Sequence, residues 1–439
     1  MTPIMIGLLS ILAILLLVQS GLHIGTALAA VSFVGVALIR DNVDIAGTFL
    51  ALAALDSIAR FSFGVIPLFV LMGLLVSISG IGRDIFDVAG QLFRRVPGGL
   101  GVATVFANAV FAAVNGTSIA SASVFTRVAV PELLRNGYSA SFSVGVVAGS
   151  SVLGMLIPPS LLLILYGIIA EVSIGSLFTA GILPGIALAL LFVMTIFAIG
   201  HFNPGAFGRT AGGALIEEKE LMPISRLLLL SLPIVLLIVI VLGGIYGGIF
   251  TPTEAGAVGA FASLVLAIAR RKLTLRSFWD LLLETGTVTA AISFVIIAAH
   301  IYARLLSLSG LPSELSAMIA THDLGFVAVL IVYLVLVILL GTILDSASIM
   351  LILLPLVVPV MISMNVDLVW FGVVTIIAVE IGLLTPPLGL ACFVIKSNLQ
   401  DHDIPVSTIF RGALPFVGAM FVALILVILV PDLALVLIN

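Results

Sequence analysis

Two stretches of the chain combine hydroxyl, amide and carboxylate side chains with glycine and paired prolines inside otherwise apolar sequence. In the first, Asn115-Gly116-Thr117-Ser118-Ile119-Ala120-Ser121-Ala122-Ser123 is followed by Gly154-Met155-Leu156-Ile157-Pro158-Pro159. In the second, Gly341-Thr342-Ile343-Leu344-Asp345-Ser346-Ala347-Ser348 is followed at a similar spacing by Gly382-Leu383-Leu384-Thr385-Pro386-Pro387. Each half therefore carries Gly-Thr-x-x-x-Ser-Ala-Ser and then Gly-x-x-(Ile/Thr)-Pro-Pro, which indicates an internal repeat.

Paired prolines inside an apolar segment remove two backbone donors, so nearby carbonyls lose their partners within the helix. Such carbonyls, beside Ser and Thr hydroxyls, form a hard oxygen cage that suits a small cation, and helix N-termini at the same break suit an anion. Broken helices at matching positions of two repeats are typical of a transporter's binding site. Two alternatives stay open: the prolines only kink the helices, and the small polar residues only allow close helix packing.

Ionisable residues in apolar surroundings are further candidates, because burying a charge in lipid is costly. Glu171, Glu254, Asp345 and Glu380 stand out, and Asp345 and Glu380 lie near the proposed breaks. Each of the four is alternatively a paired structural charge. His300 could relay protons, although a lone histidine is more often a buried donor with a satisfied hydrogen bond.

The elements that must position these groups are membrane helices. Of the 439 residues, 62% are hydrophobic and only 9% are charged, whereas a soluble domain carries about 25% charged residues. Uncharged stretches recur along the whole chain, and most exceed the roughly 18 to 20 residues that cross a bilayer as a helix. They do not alternate with polar residues as barrel strands do, so we predict an all-α polytopic membrane protein.

The same sequence excludes some function classes and argues against others. The net charge is −4, and the 17 Lys and Arg residues are scattered at the ends of apolar stretches, so there is no basic face for nucleic acid. The single cysteine, Cys392, excludes a disulfide within the chain and a cysteine-based metal site. Motifs of metallohydrolases, P-loop ATPases and serine hydrolases are missing, which argues against an enzyme or an ATP-driven pump.

The polar segment 201–226 separates a first half, 1–200, from a second half, 227–439, and we interpret it as a connector. Positive charge collects between Arg83 and Arg95 and between Arg270 and Arg276. By the positive-inside rule, we expect both loops to face the cytoplasm.

The sequence resembles the large membrane subunit of the tripartite ATP-independent periplasmic (TRAP) transporters. The resemblance rests on stretches spread over nearly the whole length, of which Gly248-Ile249-Phe250-Thr251-Pro252-Thr253-Glu254-Ala255 is the most specific. The other matching stretches are Pro67 to Gly73, Asn115 to Ser118, Leu156 to Ser160, Gly181 to Gly185 and Thr385 to Gly389.

The resemblance implies about eleven transmembrane helices and two re-entrant helical hairpins, arranged as inverted repeats that move as an elevator. It also implies sodium-driven uptake of a small carboxylate across the bacterial inner membrane. The expected partners are a small four-helix membrane subunit, a periplasmic substrate-binding protein and membrane lipid. Within the same class, a stand-alone ion-coupled dicarboxylate carrier of related fold is the alternative, and an ion channel and a membrane enzyme are alternatives from other classes.

Transferred onto this sequence, the resemblance implies two sodium sites at the hairpin tips and facing unwound helices. The first would use Asn115, Gly154, Ile157 and Pro159, and the second Gly341, Gly382, Thr385 and Leu388, many of them through backbone carbonyls. The substrate would lie between the hairpins near Thr117, Ser118, Asp345 and Ser346. Ile157 stands where the second half has Thr385, so the first site would lack that hydroxyl.

Overall fold

The computed structural model describes residues 1–59, 61–207, 222–399 and 403–438 of the chain. Within these ranges the chain forms helices and no strands, which confirms the predicted all-α fold class. The helices are α1 (Pro3–Gln19), α2 (Ile24–Arg40), α3 (Val43–Ile58), α4 (Val65–Ile78), α5 (Ile81–Leu92), α6 (Gly99–Asn115), α7 (Ser118–Arg135), α8 (Ala140–Ser151), α9 (Leu153–Leu156), α10 (Leu161–Ile169), α11 (Ile174–Phe202), α12 (Ile224–Tyr246), α13 (Pro252–Ala269), α14 (Leu275–Ser309), α15 (Leu311–Thr321), α16 (Phe326–Gly341), α17 (Ser346–Ser363), α18 (Leu368–Leu383), α19 (Leu390–Asn398), α20 (Val406–Leu429) and α21 (Asp432–Leu435). A short 3-10 turn, Phe61–Gly64, precedes α4.

Membrane-length helices make up much of this fold. Six helices of the described ranges are long and apolar enough to cross a bilayer, and the number reaches eight if two bent pairs each count as one span. Five further apolar helices have 10 to 17 residues. The predicted count of about eleven spans therefore stays a prediction. The predicted connector begins and ends in helix, because α11 extends to Phe202 and α12 begins at Ile224, and its positions 208–221 lie outside the described residues.

In the first half, α6 and α7 form a hairpin whose two open ends lie at the same end of the molecule. Gly98, just before α6, packs against Ile196 near the end of α11, and the Ser139 amide, just after α7, donates to the Ala206 carbonyl at 2.9 Å. The helices α8 and α9 then run inward beside this hairpin, and α10 continues beyond a break with a bend of 42°. This second element is therefore a broken span and not a hairpin.

The second half repeats this arrangement in the opposite direction. Its hairpin is α16 and α17, and its broken span is α18 and α19. The Tyr166 hydroxyl, at the far end of α10, donates to the Leu368 carbonyl at 2.6 Å. The open end of the second hairpin therefore lies at the opposite end of the molecule from that of the first.

Small residues let these helices approach closely at the centre. A Cβ atom added to Gly382 would lie 2.6 Å from the Gly341 Cα atom, and one added to Gly145 would lie 2.2 Å from the Gly412 carbonyl oxygen. Helix α18 is buried along nearly its whole length, from Trp370 to Leu383. The hairpins and broken spans are therefore closely packed where they meet.

The two basic clusters lie close together in the fold. The Arg270 guanidinium group, which follows α13, pairs with the Asp84 carboxylate near the start of α5 and also donates to the Ser79 carbonyl. Arg94 and Arg95 follow α5 on the way to the open end of the first hairpin. This proximity agrees with the expectation that both clusters face one side of the membrane.

Candidate functional site

The tip of the first hairpin is a two-residue turn. Helix α6 ends at Asn115, Gly116 adopts a left-handed conformation with φ of 70°, and Thr117 caps α7 by accepting the Ala120 amide. The Asn115 side-chain amide donates to the Thr117 hydroxyl at 3.0 Å and to its carbonyl at 3.2 Å. The turn therefore gathers three oxygen-bearing groups within one hydrogen-bond network.

The first break lies directly against this tip. The prolines deprive the Gly154 and Met155 carbonyls of their partners within the helix, and the Ser160 hydroxyl donates to the Met155 carbonyl at 2.5 Å. The Leu161 amide, just after the break, donates to the Gly116 carbonyl at 3.0 Å. A Cβ atom added to Gly154 would lie 2.5 Å from the Thr117 carbonyl oxygen.

The second tip is longer and carries a charge. Helix α16 ends at Gly341, and Asp345 caps α17, accepting from the Ser348 amide at 3.2 Å and from the Ser348 hydroxyl. A carboxylate at a helix N-terminus is electrostatically favourable. The helix that Asp345 caps therefore offsets part of the negative charge of this side chain.

The second break repeats the contacts of the first. The Leu388 amide donates to the Thr342 carbonyl of the tip at 3.1 Å, as Leu161 does to Gly116. The Thr385 hydroxyl donates to the Ile381 carbonyl at 2.7 Å, which leaves the oxygen lone pairs of Thr385 available to a cation. In each Pro-Pro pair, the peptide bond between the two prolines is cis.

The two hairpins also correct the alignment of the repeat. The matching letters Gly-Thr-x-x-x-Ser-Ala-Ser pair Ser346 with Ser121 and Thr342 with Thr117. The helix starts instead pair Ser346 with Ser118, and the cap Asp345 with the cap Thr117. The sequence match failed here because the second tip is longer than the first.

A cavity of about 190 Å³ lies between the hairpins. Three of the four predicted substrate residues, Ser118, Asp345 and Ser346, line it, and Thr117 does not. Apolar residues from both breaks, such as Leu161 and Leu383, form much of the remaining wall. None of the described residues that line the cavity is basic.

Two helix N-termini converge on this cavity from opposite halves of the chain. Helix α7 begins at Ser118 and α17 begins at Ser346, and each has 18 residues. The N-terminus of a helix carries a partial positive charge and amide groups without partners inside the helix. The cavity can therefore attract an anion without a basic side chain.

The sequence did not predict the contact that Glu380 makes across the halves. This side chain is 1% exposed, and its carboxyl group interacts with the Ser346 hydroxyl at 3.4 Å and with the Ser118 hydroxyl. Ser118 and Glu380 lie in different halves of the chain, so no local pattern could reveal the contact.

Two of the other ionisable candidates have structural surroundings of their own. Glu254 forms a capping box at the start of α13, accepting from the Thr251 amide at 2.8 Å, and this role explains it without any ligand. His300 lies beside the Ser57 hydroxyl, with its Nδ1 atom at 3.1 Å.

Glu171 and His300 line a second cavity, of about 290 Å³, at the far end of α10. The wall of this cavity also contains an ion pair between Arg304 and Asp56, at 2.6 Å. The two residues are therefore separate from the cavity between the hairpins.

Comparison with known proteins places these features in a family. Residues 11–433 match the family described as "Tripartite ATP-independent periplasmic transporter, DctM component". Similar proteins include the "C4-dicarboxylate TRAP transporter large permease protein DctM" of Pseudomonas aeruginosa, 32% identical over 89% of both chains. The "Sialic acid TRAP transporter large permease protein SiaM" of Vibrio cholerae is 32% identical over 96% of both chains.

The fold is also similar to a solved transporter structure of low sequence identity. The YdaH transporter of Alcanivorax borkumensis matches with a TM-score of 0.60 at 13% identity, covering 90% of this chain and 88% of that one. This likeness concerns the fold alone.

Proposed function

Because the chain belongs to the DctM component family of tripartite ATP-independent periplasmic transporters, we propose that it carries a small organic anion across the inner membrane together with sodium ions. Family membership makes the chain a multi-pass inner-membrane permease and a secondary transporter, and not an enzyme. The family also implies a small membrane subunit and a binding protein as partners. The coupling ion and the chemical class of the substrate are the proposed parts.

The observation that carries the anion proposal is the convergence of α7 and α17 on one cavity. Their N-termini offer amide donors and partial positive charge, and the cavity is otherwise mostly apolar. A carboxylate bound there would be stabilised by two helix dipoles and by sodium ions at the two proposed ion sites. Relatives named for a C4-dicarboxylate and for sialic acid agree with a carboxylate substrate.

The proposed sodium sites lie where each tip meets its break. The first would be formed by Asn115, Gly154, Ile157 and Pro159, and the second by Gly341, Gly382, Thr385 and Leu388. Carbonyl, amide and hydroxyl oxygens are the ligands that hard cations prefer. The amide contacts from Leu161 and Leu388 hold each tip against its break, so a bound ion would bridge two segments already in contact.

We also propose that the hairpins and broken spans move together as an elevator. Each tip is hydrogen-bonded to its own break, and the two halves meet where the Tyr166 hydroxyl donates to the Leu368 carbonyl and where Glu380 contacts Ser118. Such a connected unit favours rigid-body movement over independent opening of the tips. Ions bound at both breaks would strengthen these connections, which would link sodium binding to movement.

The proposal is tested by reconstituting the chain in proteoliposomes with and without its small subunit and binding protein. With all three components and an inward sodium gradient, we expect uptake of radiolabelled succinate or sialic acid. With the chain alone, we expect little or no uptake. Replacing sodium by potassium outside the vesicles is the control.

Robust sodium-driven uptake by the chain alone would favour the stand-alone carrier instead. Uptake by the complete system that ignores the sodium gradient would contradict sodium coupling.

A further inference from the structure

Glu380 is the only charged side chain that is buried in the described ranges of the chain. It lies on α18, the helix that is buried almost throughout, two residues before Gly382. Burying a carboxyl group is costly unless hydrogen-bonding partners compensate for the lost water. Its partners should therefore reveal why it is there.

Those partners belong to both halves of the molecule. The Ser346 hydroxyl lies 3.4 Å from Glu380 Oε1, and the Ser118 hydroxyl is its second side-chain partner. Ser118 and Ser346 are the first residues of α7 and α17, and both line the cavity between the hairpins. One carboxyl group thus connects the two helix N-termini that face the cavity.

The first half offers no equivalent connection. The position two residues before Gly154 is Val152, a buried apolar residue that is 1% exposed. A carboxyl group needed only to build a break would be expected in both halves. Its presence in one half alone indicates that a break can be built without it.

The hydrogen-bond direction defines the role of Glu380. A serine hydroxyl that donates to Glu380 directs its hydrogen away from the cavity and its oxygen lone pairs towards other neighbours. It also holds the first residue of its helix in place, together with the backbone amides that follow. The spacing between the two N-termini then depends in part on this side chain.

We infer that Glu380 is a positioning residue, which holds Ser118 and Ser346 so that the amide groups of α7 and α17 face the same bound anion. This inference deepens the proposed function and rests on it. Loss of the carboxyl group should weaken anion binding while leaving the ion sites at the breaks largely intact.

The first arm of the test measures the connection itself and needs no substrate. Thermal unfolding of the purified chain in detergent is recorded for Glu380→Ala, for Ser118→Ala with Ser346→Ala, and for all three changes together. We expect the loss in Tm of the triple variant to be smaller than the sum of the other two, because the groups act together. Additive losses would overturn the inference whatever the protein transports.

The second arm measures uptake by the complete transporter in proteoliposomes, with radiolabelled succinate and sialic acid as probes. Glu380→Ala should raise KM about tenfold, whereas the sodium concentration for half-maximal uptake should change less than about twofold. Glu380→Gln, which keeps the size and one acceptor, should fall between Glu380→Ala and the parent. In the background lacking both serine hydroxyls, Glu380→Ala should raise KM less than about twofold.

The matched control is Thr375→Val on the same helix. It removes another buried hydrogen bond, between Thr375 and the Tyr333 hydroxyl at 3.0 Å, and Thr375 does not line the cavity. We expect this variant to lose some thermal stability with an unchanged KM. An unchanged KM in Glu380→Ala, or an equal rise in KM in Thr375→Val, would overturn the positioning role.

If the parent transporter carries neither probe, the proposed substrate class fails, and the thermal arm still decides whether Glu380 connects the two helices.

Discussion

The two halves of this protein build the same junction from different side chains. In each half a hairpin tip meets a Pro-Pro break, a glycine permits the contact, and an amide after the prolines donates to a tip carbonyl. The shared features are backbone features, set by glycine and proline. The comparison teaches that glycine and proline fix the geometry of each junction, while the side chains that face a ligand can differ between the two halves.

The differences lie where side chains face the ligands. The first tip is capped by the neutral Thr117 and the second by the charged Asp345. The second break carries Thr385 and Glu380, where the first carries Ile157 and Val152. We therefore expect the second half to bind its ligands through more side-chain groups and the first half through more backbone carbonyls.

The comparison requires that the hairpins open towards opposite sides of the membrane. Arg135 ends α7 and Ser363 ends α17, so they mark the open ends of the two hairpins. In a Cys392→Ala background, a cysteine at Ser363 should react with a membrane-impermeant maleimide from outside intact cells. A cysteine at Arg135, like cysteines in the loops of Arg83 to Arg95 and Arg270 to Arg276, should react only after lysis. Labelling of positions 135 and 363 from the same side would break the inverted relationship.

Both junctions should be equally intolerant of a larger residue at the glycine. Gly154→Ala and Gly382→Ala each place a Cβ atom within 2.6 Å of backbone atoms in the facing tip. Overpacking of this kind costs about 1–3 kcal/mol, so uptake should fall by up to roughly 100-fold. Gly418→Ala on α20, with nothing within 4 Å, is the control and should transport normally. Tolerance of alanine in one half only would mean that the junctions are not equivalent.

The side chains at the two junctions, in contrast, should contribute unequally to sodium binding. Thr385→Ala removes a hydroxyl oxygen at the second junction, and we expect the sodium concentration for half-maximal uptake to rise roughly tenfold, or ~1.4 kcal/mol. The same change at Thr375 should do far less, because its hydroxyl bonds Tyr333 away from the break. Sodium dependence identical to the parent would leave the backbone carbonyls as the ligands.

At the matched position of the first half, we expect a smaller effect. Ile157 packs against Gly185 and can contribute only its backbone carbonyl to an ion. Ile157→Val keeps that carbonyl, so the half-maximal sodium concentration should change less than about twofold. A tenfold rise here as well would show that the two junctions use their side chains alike.

Sequence reasoning predicted the helical membrane fold and the positions of the two Pro-Pro breaks, whereas the ion-site residues at each junction stay a prediction. It succeeded because apolar length and Pro-Pro pairs act locally. Gly154 against Thr117 and Gly382 against Gly341 follow from the predicted pairing of breaks with tips.

The remaining features depend on contacts between distant segments. The letters of the repeat placed Ser346 opposite Ser121, because tip length is not visible in a pattern match. The Glu380 contact with Ser118 joins opposite halves of the chain. Glu254 is the exception, because its cap at α13 is a local contact with Thr251 that the pattern Thr-x-x-Glu could have revealed.

The most direct test of the account is equilibrium binding of radioactive sodium to the purified chain. If each junction holds an ion, binding should saturate at about two ions per chain, and excess potassium should not displace them. Thr385→Ala should weaken one ion roughly tenfold and leave the other unchanged. Absence of saturable sodium binding, or displacement by potassium as effective as by sodium, would contradict the claim that the two junctions are the sodium sites.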